Sequence, residues 1–323
     1  MKKPDPVEQA LDRLAALKNE AGGPAVVAEL KVFLKNRFNL VAAKAAKIAG
    51  QARAAELIPE LVATFHRLMK DPAKLDKGCA ATTEIVSALY ELDYAEPEVY
   101  LHGIHHVQME PSFGPPVDAA AKLRGVSALG LARTRHPAAL DEIVPLLVDE
   151  WPEARIGGVR AMAVNGGAAG ALLLKLKILT GESEPQVLAE CFSGLLAAAA
   201  PERSLPLVAG FVDSKDSAVA EAALLALGSS RLPEALAWLK AKFERTASGP
   251  RRKIVLLAIA MVRSEAAIEF LLELLAECTP AVAKDVIAAL AFFRNNDRVR
   301  DQVKDVVARR NEKSVSEVFG QEF

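Results

Sequence analysis

Glu98, His102, His106 and Glu110 follow one another at intervals of four residues. On an α-helix that spacing stacks all four side chains on one face. Two imidazoles one turn apart can chelate a divalent metal, and a carboxylate such as Glu110 or Asp118 can add an oxygen ligand. Metal-assisted chemistry is therefore one reading of His102, His106 and Glu110. The residue after His102 is Gly103, so the general-base glutamate of an H-E-x-x-H helix is missing. Outside this cluster only His66 and His136 remain as distant imidazoles. The stripe reads first as a solvated or partner-facing row, and no metal or other cofactor is expected. Its pairs would each contribute only about 0.2–0.5 kcal/mol, too little for the row to exist for helix stability.

The same residues sit in a chemically distinct stretch. Residues 78–121 hold seven acids and no Lys or Arg, all three tyrosines, and His102, His105 and His106. Tyr100, His102, His106, Gln108, Glu110 and Phe113 combine aromatic and hydrogen-bonding groups of the kind that anchor interfaces. Asp118 and Arg124 follow at the start of the next helix. Together they form a candidate surface for a protein or peptide partner, and the uncompensated acids favour a basic one. The competing reading is a loop that bridges a wide gap, with its Tyr and Phe packed inward.

The rest of the chain limits the alternatives. It has 323 residues, with 40 Lys and Arg against 41 Asp and Glu. Without residues 78–121 the balance is 40 bases to 34 acids, or +6. The near-zero total supplies no global field for nucleic acid or anionic lipid. Cys79, Cys191 and Cys278 are odd in number and far apart, which fits no disulfide framework and suits a reducing cytoplasm. The opening Met1-Lys2-Lys3-Pro4-Asp5 lacks a following apolar segment, so no signal peptide is expected. The longest apolar run, Ile254 to Val262, is too short to span a bilayer.

The elements that must position these residues follow a repeat. Large aliphatic anchors recur in Ala-rich surroundings at Leu89, Leu129, Met162, Leu195, Leu227, Ile259 and Leu290, stepping by 31 to 33 residues from Leu129 onward. After each anchor come a break and a second helical run, such as Ala139 to Val148, Leu232 to Phe243 or Glu265 to Ala276. Two helices per thirty-odd residues, with no β-branched alternation, predict an all-α solenoid of stacked antiparallel helix pairs and no strand. Helices this short are marginal alone, so each pair must be stabilised by its neighbours.

The turn between units carries a resemblance. Leu146-Leu147-Val148-Asp149 passes through Trp151-Pro152-Glu153-Ala154-Arg155 to Val159-Arg160-Ala161-Met162. This is similar to the HEAT-repeat family in its short bacterial form, where an Asp ends one helix and an Arg opens the next. Met69-Lys70-Asp71-Pro72 and Phe211-Val212-Asp213 resemble the same turn; Ala220 and Gly181-Glu182 depart from it. The resemblance covers most of residues 37–313. It implies a HEAT/armadillo-like architecture with Asp149 and Arg155 as an inter-repeat pair.

In this frame residues 1–36 form a helical cap, beginning with an amphipathic helix from Pro6 to Asn19 that Gly22-Gly23-Pro24 ends. Residues 37–313 are repeats, and 314–323 a tail that docks on the last repeat or frays. The step from Leu89 to Leu129 is 40 residues, and it contains an insertion. There Pro97 opens a helix expected to reach about Met109, where Pro111 disfavours its continuation. A loop follows at about 110–117, and Asp118 is the expected N-cap of the helix carrying Arg124. Gly157-Gly158 and Gly166-Gly167 lack a phosphate-binding pattern and read as close helix packing or helix ends.

The function best supported by these residues is a non-enzymatic, cytoplasmic protein-interaction scaffold. The alternative is an enzyme on a HEAT-like scaffold, metal-assisted at the histidines or similar to bilin lyases. Deoxyhypusine hydroxylases, also HEAT-like, are set aside because this chain has no His-Glu dipeptide. DNA glycosylases of this scaffold would want a basic, aromatic groove, whereas Trp151 and Trp238 lie in different repeats.

Overall fold

The protein is described by a computed structural model covering residues 5–18, 20, 23–134, 136–247 and 249–323. Of the residues read from the sequence, the opening stretch Met1–Pro4, Asn19 as a helix end and Gly22 as a stop signal lie outside the described residues. Almost all the regular structure is helical, in an all-α solenoid of successive helix pairs. Proline punctuates it, standing at the first turn of the helices that begin at Pro24, Pro152, Pro185, Pro233, Pro250 and Pro280. Its missing N–H is one that a first turn leaves unpaired anyway, and its fixed φ already suits the helix.

The chain divides into two compact units, Met1–Gly170 and Ala171–Phe323. In the first, the helix Asn39–Gln51 packs on Ala80–Glu91, which packs on Ala121–Arg133, which packs on Pro152–Asn165. The amphipathic helix Pro6–Leu17 rests on Asn39–Gln51, with Leu14 and Leu17 buried. The second unit repeats the stack through Pro185–Ala198, Ser217–Ser229, Pro250–Met261 and Pro280–Leu290. The chain's last residues are helical as well: Lys313–Glu322 packs on Pro280–Leu290 through the buried Val315.

The periodic anchors sit where the stacking needs them. Leu89, Met162, Leu227, Ile259 and Leu290 are fully buried and Leu195 nearly so. Leu129 is the exception, half-buried, because Ala128 and Leu131 take the inward positions of that helix. One close helix contact in the first unit depends on glycine. A Cβ placed on Gly157 would lie 2.0 Å from the Cα of Gly125, so these two helices touch backbone to backbone.

Two expectations are corrected. The insertion helix is short: it spans Glu98–Ile104, seven residues, and His105 is its C-cap. And a strand pair exists: Met109–Glu110 pairs antiparallel with Val117–Asp118, matching Met109 to Asp118 and Glu110 to Val117. One carboxylate accounts for much of this. Asp118 Oδ1 accepts the Gln108 backbone N–H at 2.9 Å, and the Gln108 carbonyl accepts the Ala119 N–H at 2.9 Å. These bonds draw the chain out of the helix before Pro111 is reached.

Candidate binding site

Ending the helix at Ile104 dissolves the four-residue ladder, since His106 lies beyond the helix and Glu110 on a strand. The histidines take separate partners. His102 stands edge-on to Phe65, ring centroids 5.6 Å apart, and partial burial, with His106 and His66 nearby, lowers its pKa. His106 Nε2 lies 3.2 Å from Gln108 Oε1, and His105 Nε2 lies 2.9 Å from a Glu142 carboxylate oxygen. Among the described residues no three of His, Cys, Asp and Glu gather as a metal-binding group. His102, His106 and Glu110 therefore do not form the metal arrangement that helical spacing allows.

Tyr100 is also placed differently from its reading as a contact residue. It is fully buried, its hydroxyl donates to the Tyr94 carbonyl at 2.9 Å, and a Cβ on Gly130 would overlap its ring at 2.0 Å. Burial pushes its phenol above the ordinary tyrosine range. Tyr100 is a packing residue that fixes the root of the insertion.

Gln108, Glu110, Asp118 and Arg124 instead anchor the hairpin from within. Gln108 Nε2 donates to the Asp76 carbonyl at 3.1 Å and to Glu110 Oε1 at 2.6 Å, and the same Glu110 oxygen accepts the Gly78 N–H at 2.7 Å. Asp76 is wholly buried, yet its carboxylate is saturated by the N–H groups of Ala81 and Thr82, the Thr82 hydroxyl and the Asn39 amide. On the other side Asp118 holds the Gln108 and Ala120 N–H groups and pairs with Arg124. Asp118 does not cap the following helix, whose N-cap is Ala120; it binds the turn just before it.

Arg124, only 5% exposed, also donates to the His106 carbonyl at 3.0 Å and holds Asp149 with two bonds of 3.0 Å, Nε to Oδ2 and Nη2 to Oδ1. Burial opposes ionisation of Asp118, but the Gln108 amide, Arg124 and the Ala120 amide outweigh it and keep the carboxyl below its usual range. The expected Asp149–Arg155 pairing is corrected in kind. Arg155 Nη1 donates to the backbone carbonyls of Asp149 and Glu150, at 2.8 and 2.9 Å, while the Asp149 carboxylate is held by Arg124 from the preceding repeat.

Outside this network lies a pocket of about 380 Å³. It is lined by Asp118, Arg124 and Asp149 of this network together with Glu142, Glu150, Trp151, His105, Val107 and Met109. Four carboxylates thus face one guanidinium that is already bonded to two of them. The hairpin adds apolar surface: Val107, Met109 and Val117 are exposed, and Phe113 at the loop tip stands fully in solvent. Glu142, Glu150, Trp151, Val107 and Met109 have no sequence signal that joins them, because the pocket forms between segments some forty residues apart.

Comparisons with known proteins assign the chain no family. No protein-family profile matches it, and no curated protein does. Among solved structures, human deoxyhypusine hydroxylase aligns at 20% identity over 80% of this chain and 92% of its own, TM-score 0.30. The CpcE–CpcF phycocyanin lyase complex of Nostoc aligns at 15% identity over 94% and 97%, TM-score 0.37. The karyopherin Kap121p bound to Nup53p aligns at 12% identity over 99% of this chain and 44% of its own, TM-score 0.41. Likeness at this level says nothing about the site.

Proposed function

We propose that the protein is a non-enzymatic scaffold that holds a basic segment of a partner protein in the pocket beneath the 109–118 hairpin. The observation carrying this reading is the pocket's charge: Asp118, Glu142, Asp149 and Glu150 against Arg124 alone. Arg124 is spent on Asp118 and Asp149, and the His105 ring lies 2.9 Å from Glu142, so an entering Lys or Arg meets Glu150 directly and shares Glu142 with an imidazole. Val107, Met109 and Phe113 offer apolar contact to the residues flanking it. Charge gives such a site its selectivity and on-rate, and the apolar rim its contact area.

The test is affinity purification from the native host with a Glu142→Lys/Glu150→Lys variant and a variant lacking residues 111–116. The partner retained by the wild-type chain should be lost from both. A synthetic peptide covering its most basic segment should bind the wild type alone. Equal binding by the charge-reversed variant would remove the basis of the proposal.

A further inference from the structure

The second unit contains a pocket of about 250 Å³ whose charge is opposite to the first unit's. Its wall includes Pro206, Gly210, Asp213, Trp238, Lys242 and Arg245. Lys242 is 6% exposed and pairs with Asp213, whose own side chain is 65% exposed. The Lys242 bond, opposed by burial and reinforced by the charges of Lys242, Arg245 and Arg251, holds the Asp213 carboxyl below its usual range. One carboxylate therefore lies among three cations. Arg245 Nε is bonded to the Ala241 carbonyl of its own helix and Arg251 Nη2 to the Ser214 carbonyl, at 3.1 and 3.4 Å. Neither guanidinium has a carboxylate within ion-pair distance among the described residues. The nearby Asp216 is occupied in capping Ser217–Ser229 through the Ala218 and Val219 N–H groups. Trp238 stands at this pocket 43% exposed, although it is one of only two tryptophans in the chain.

We propose that this pocket binds an acidic segment of a protein, its carboxylates against Arg245 in the wall and Arg251 beside it, with Lys242 held by Asp213 behind them, and an apolar side chain against Trp238. Guanidinium groups suit carboxylates because their planar fork donates two parallel hydrogen bonds. A half-exposed indole beside them supplies the rigid apolar contact found at interface hot spots. An inorganic anion would use the cations and leave Trp238 idle, so the indole favours a peptide. This site is independent of the acidic pocket in the first unit, and either can fail without the other.

The experiment is fluorescence anisotropy of a labelled eight-residue peptide of Glu and Asp with a central Leu, titrated with the full chain. Saturable binding is expected, weakened by added salt and by about tenfold or more in Arg245→Glu/Arg251→Glu, the equivalent of one reversed contact of ordinary strength. Trp238→Ala should weaken it too, and Glu142→Lys in the other unit should not. The proposal is overturned by absence of saturation, by unchanged binding in the double reversal, by indifference to Trp238→Ala, or by inorganic phosphate competing as strongly as unlabelled peptide.

Discussion

Arg124 and Asp149, 25 residues apart and on successive repeats, meet in a two-pronged ion pair with both bonds at 3.0 Å. The same guanidinium holds Asp118 at the foot of the hairpin, so one buried side chain ties the insertion to the repeat that follows it. Removing it strands two carboxylates. Arg124→Ala should destabilise the first unit by about 3–5 kcal/mol, the usual cost of leaving buried charge unpaired. Chemical denaturation measures this, and a loss under 1 kcal/mol would show that the pair does not carry the junction.

Acid should act on the same junction. The folded state keeps the Asp118 carboxyl below its usual value, so its contribution is fully present above the unfolded value of roughly 3.9 and is lost as pH falls through the folded one. Stability of the wild type should therefore drop below about pH 4, and Asp118→Asn should be less stable at neutral pH with a shallower acid slope. Parallel slopes in the two proteins would assign the acid sensitivity elsewhere.

His102 gives a second pH signature. Its pKa is depressed, so the folded state prefers the neutral ring; that preference is fully present above the unfolded value near 6.5 and disappears as pH falls through the folded one. Its NMR titration midpoint should lie below 6.5, and Phe65→Leu should move it back towards that value. A midpoint above 6.5 would contradict the partly buried, edge-on setting.

Helix propensity and packing make opposite predictions at Gly157. In an open helix, Gly→Ala gains about 1 kcal/mol. Here the new methyl would meet the Gly125 Cα at 2.0 Å, and overpacking of a rigid contact costs typically about 1–3 kcal/mol. Gly157→Ala should lower the melting temperature of the first unit, and an increase would mean that the crossing is looser than described.

Tyr100 and Phe113 should separate stability from recognition. Tyr100→Ala empties a fully buried aromatic site and should cost about 3–5 kcal/mol. Phe113→Ser removes a side chain wholly in solvent and should change stability by less than about 0.5 kcal/mol. Reduced partner binding in the folded Phe113 variant, measured beside an unchanged denaturation curve, would place the loop tip in the interface.

The repeat was legible because stacking imposes a period that any large aliphatic residue reveals, and Met162, Leu227 and Ile259 are buried where that period puts them. The site was less legible because its partners are chosen in three dimensions. Four-residue spacing from Glu98 to Glu110 describes a helix well; nothing local shows that Asp118 will claim the Gln108 N–H and that the helix will end about five residues early, at Ile104. Asp149 and Arg155 are close in sequence, whereas the Arg124 that takes the Asp149 carboxylate belongs to the repeat before. Aromatic composition marked the region but did not separate Tyr100, which is packed inside, from Phe113, which is not.

The hairpin's bonds reach back to Asp76 and Gly78 and, through Arg124, forward to Asp149. Repeat arrays are stabilised between nearest neighbours and can fray one pair at a time. Across residues 76–149 that freedom is removed, because opening any one of these helix pairs breaks bonds that hold the others. Amide protons along this span should then exchange with a single opening free energy, as one cooperative block within an otherwise segmented chain. A partner gripping the hairpin would pull on all of it at once.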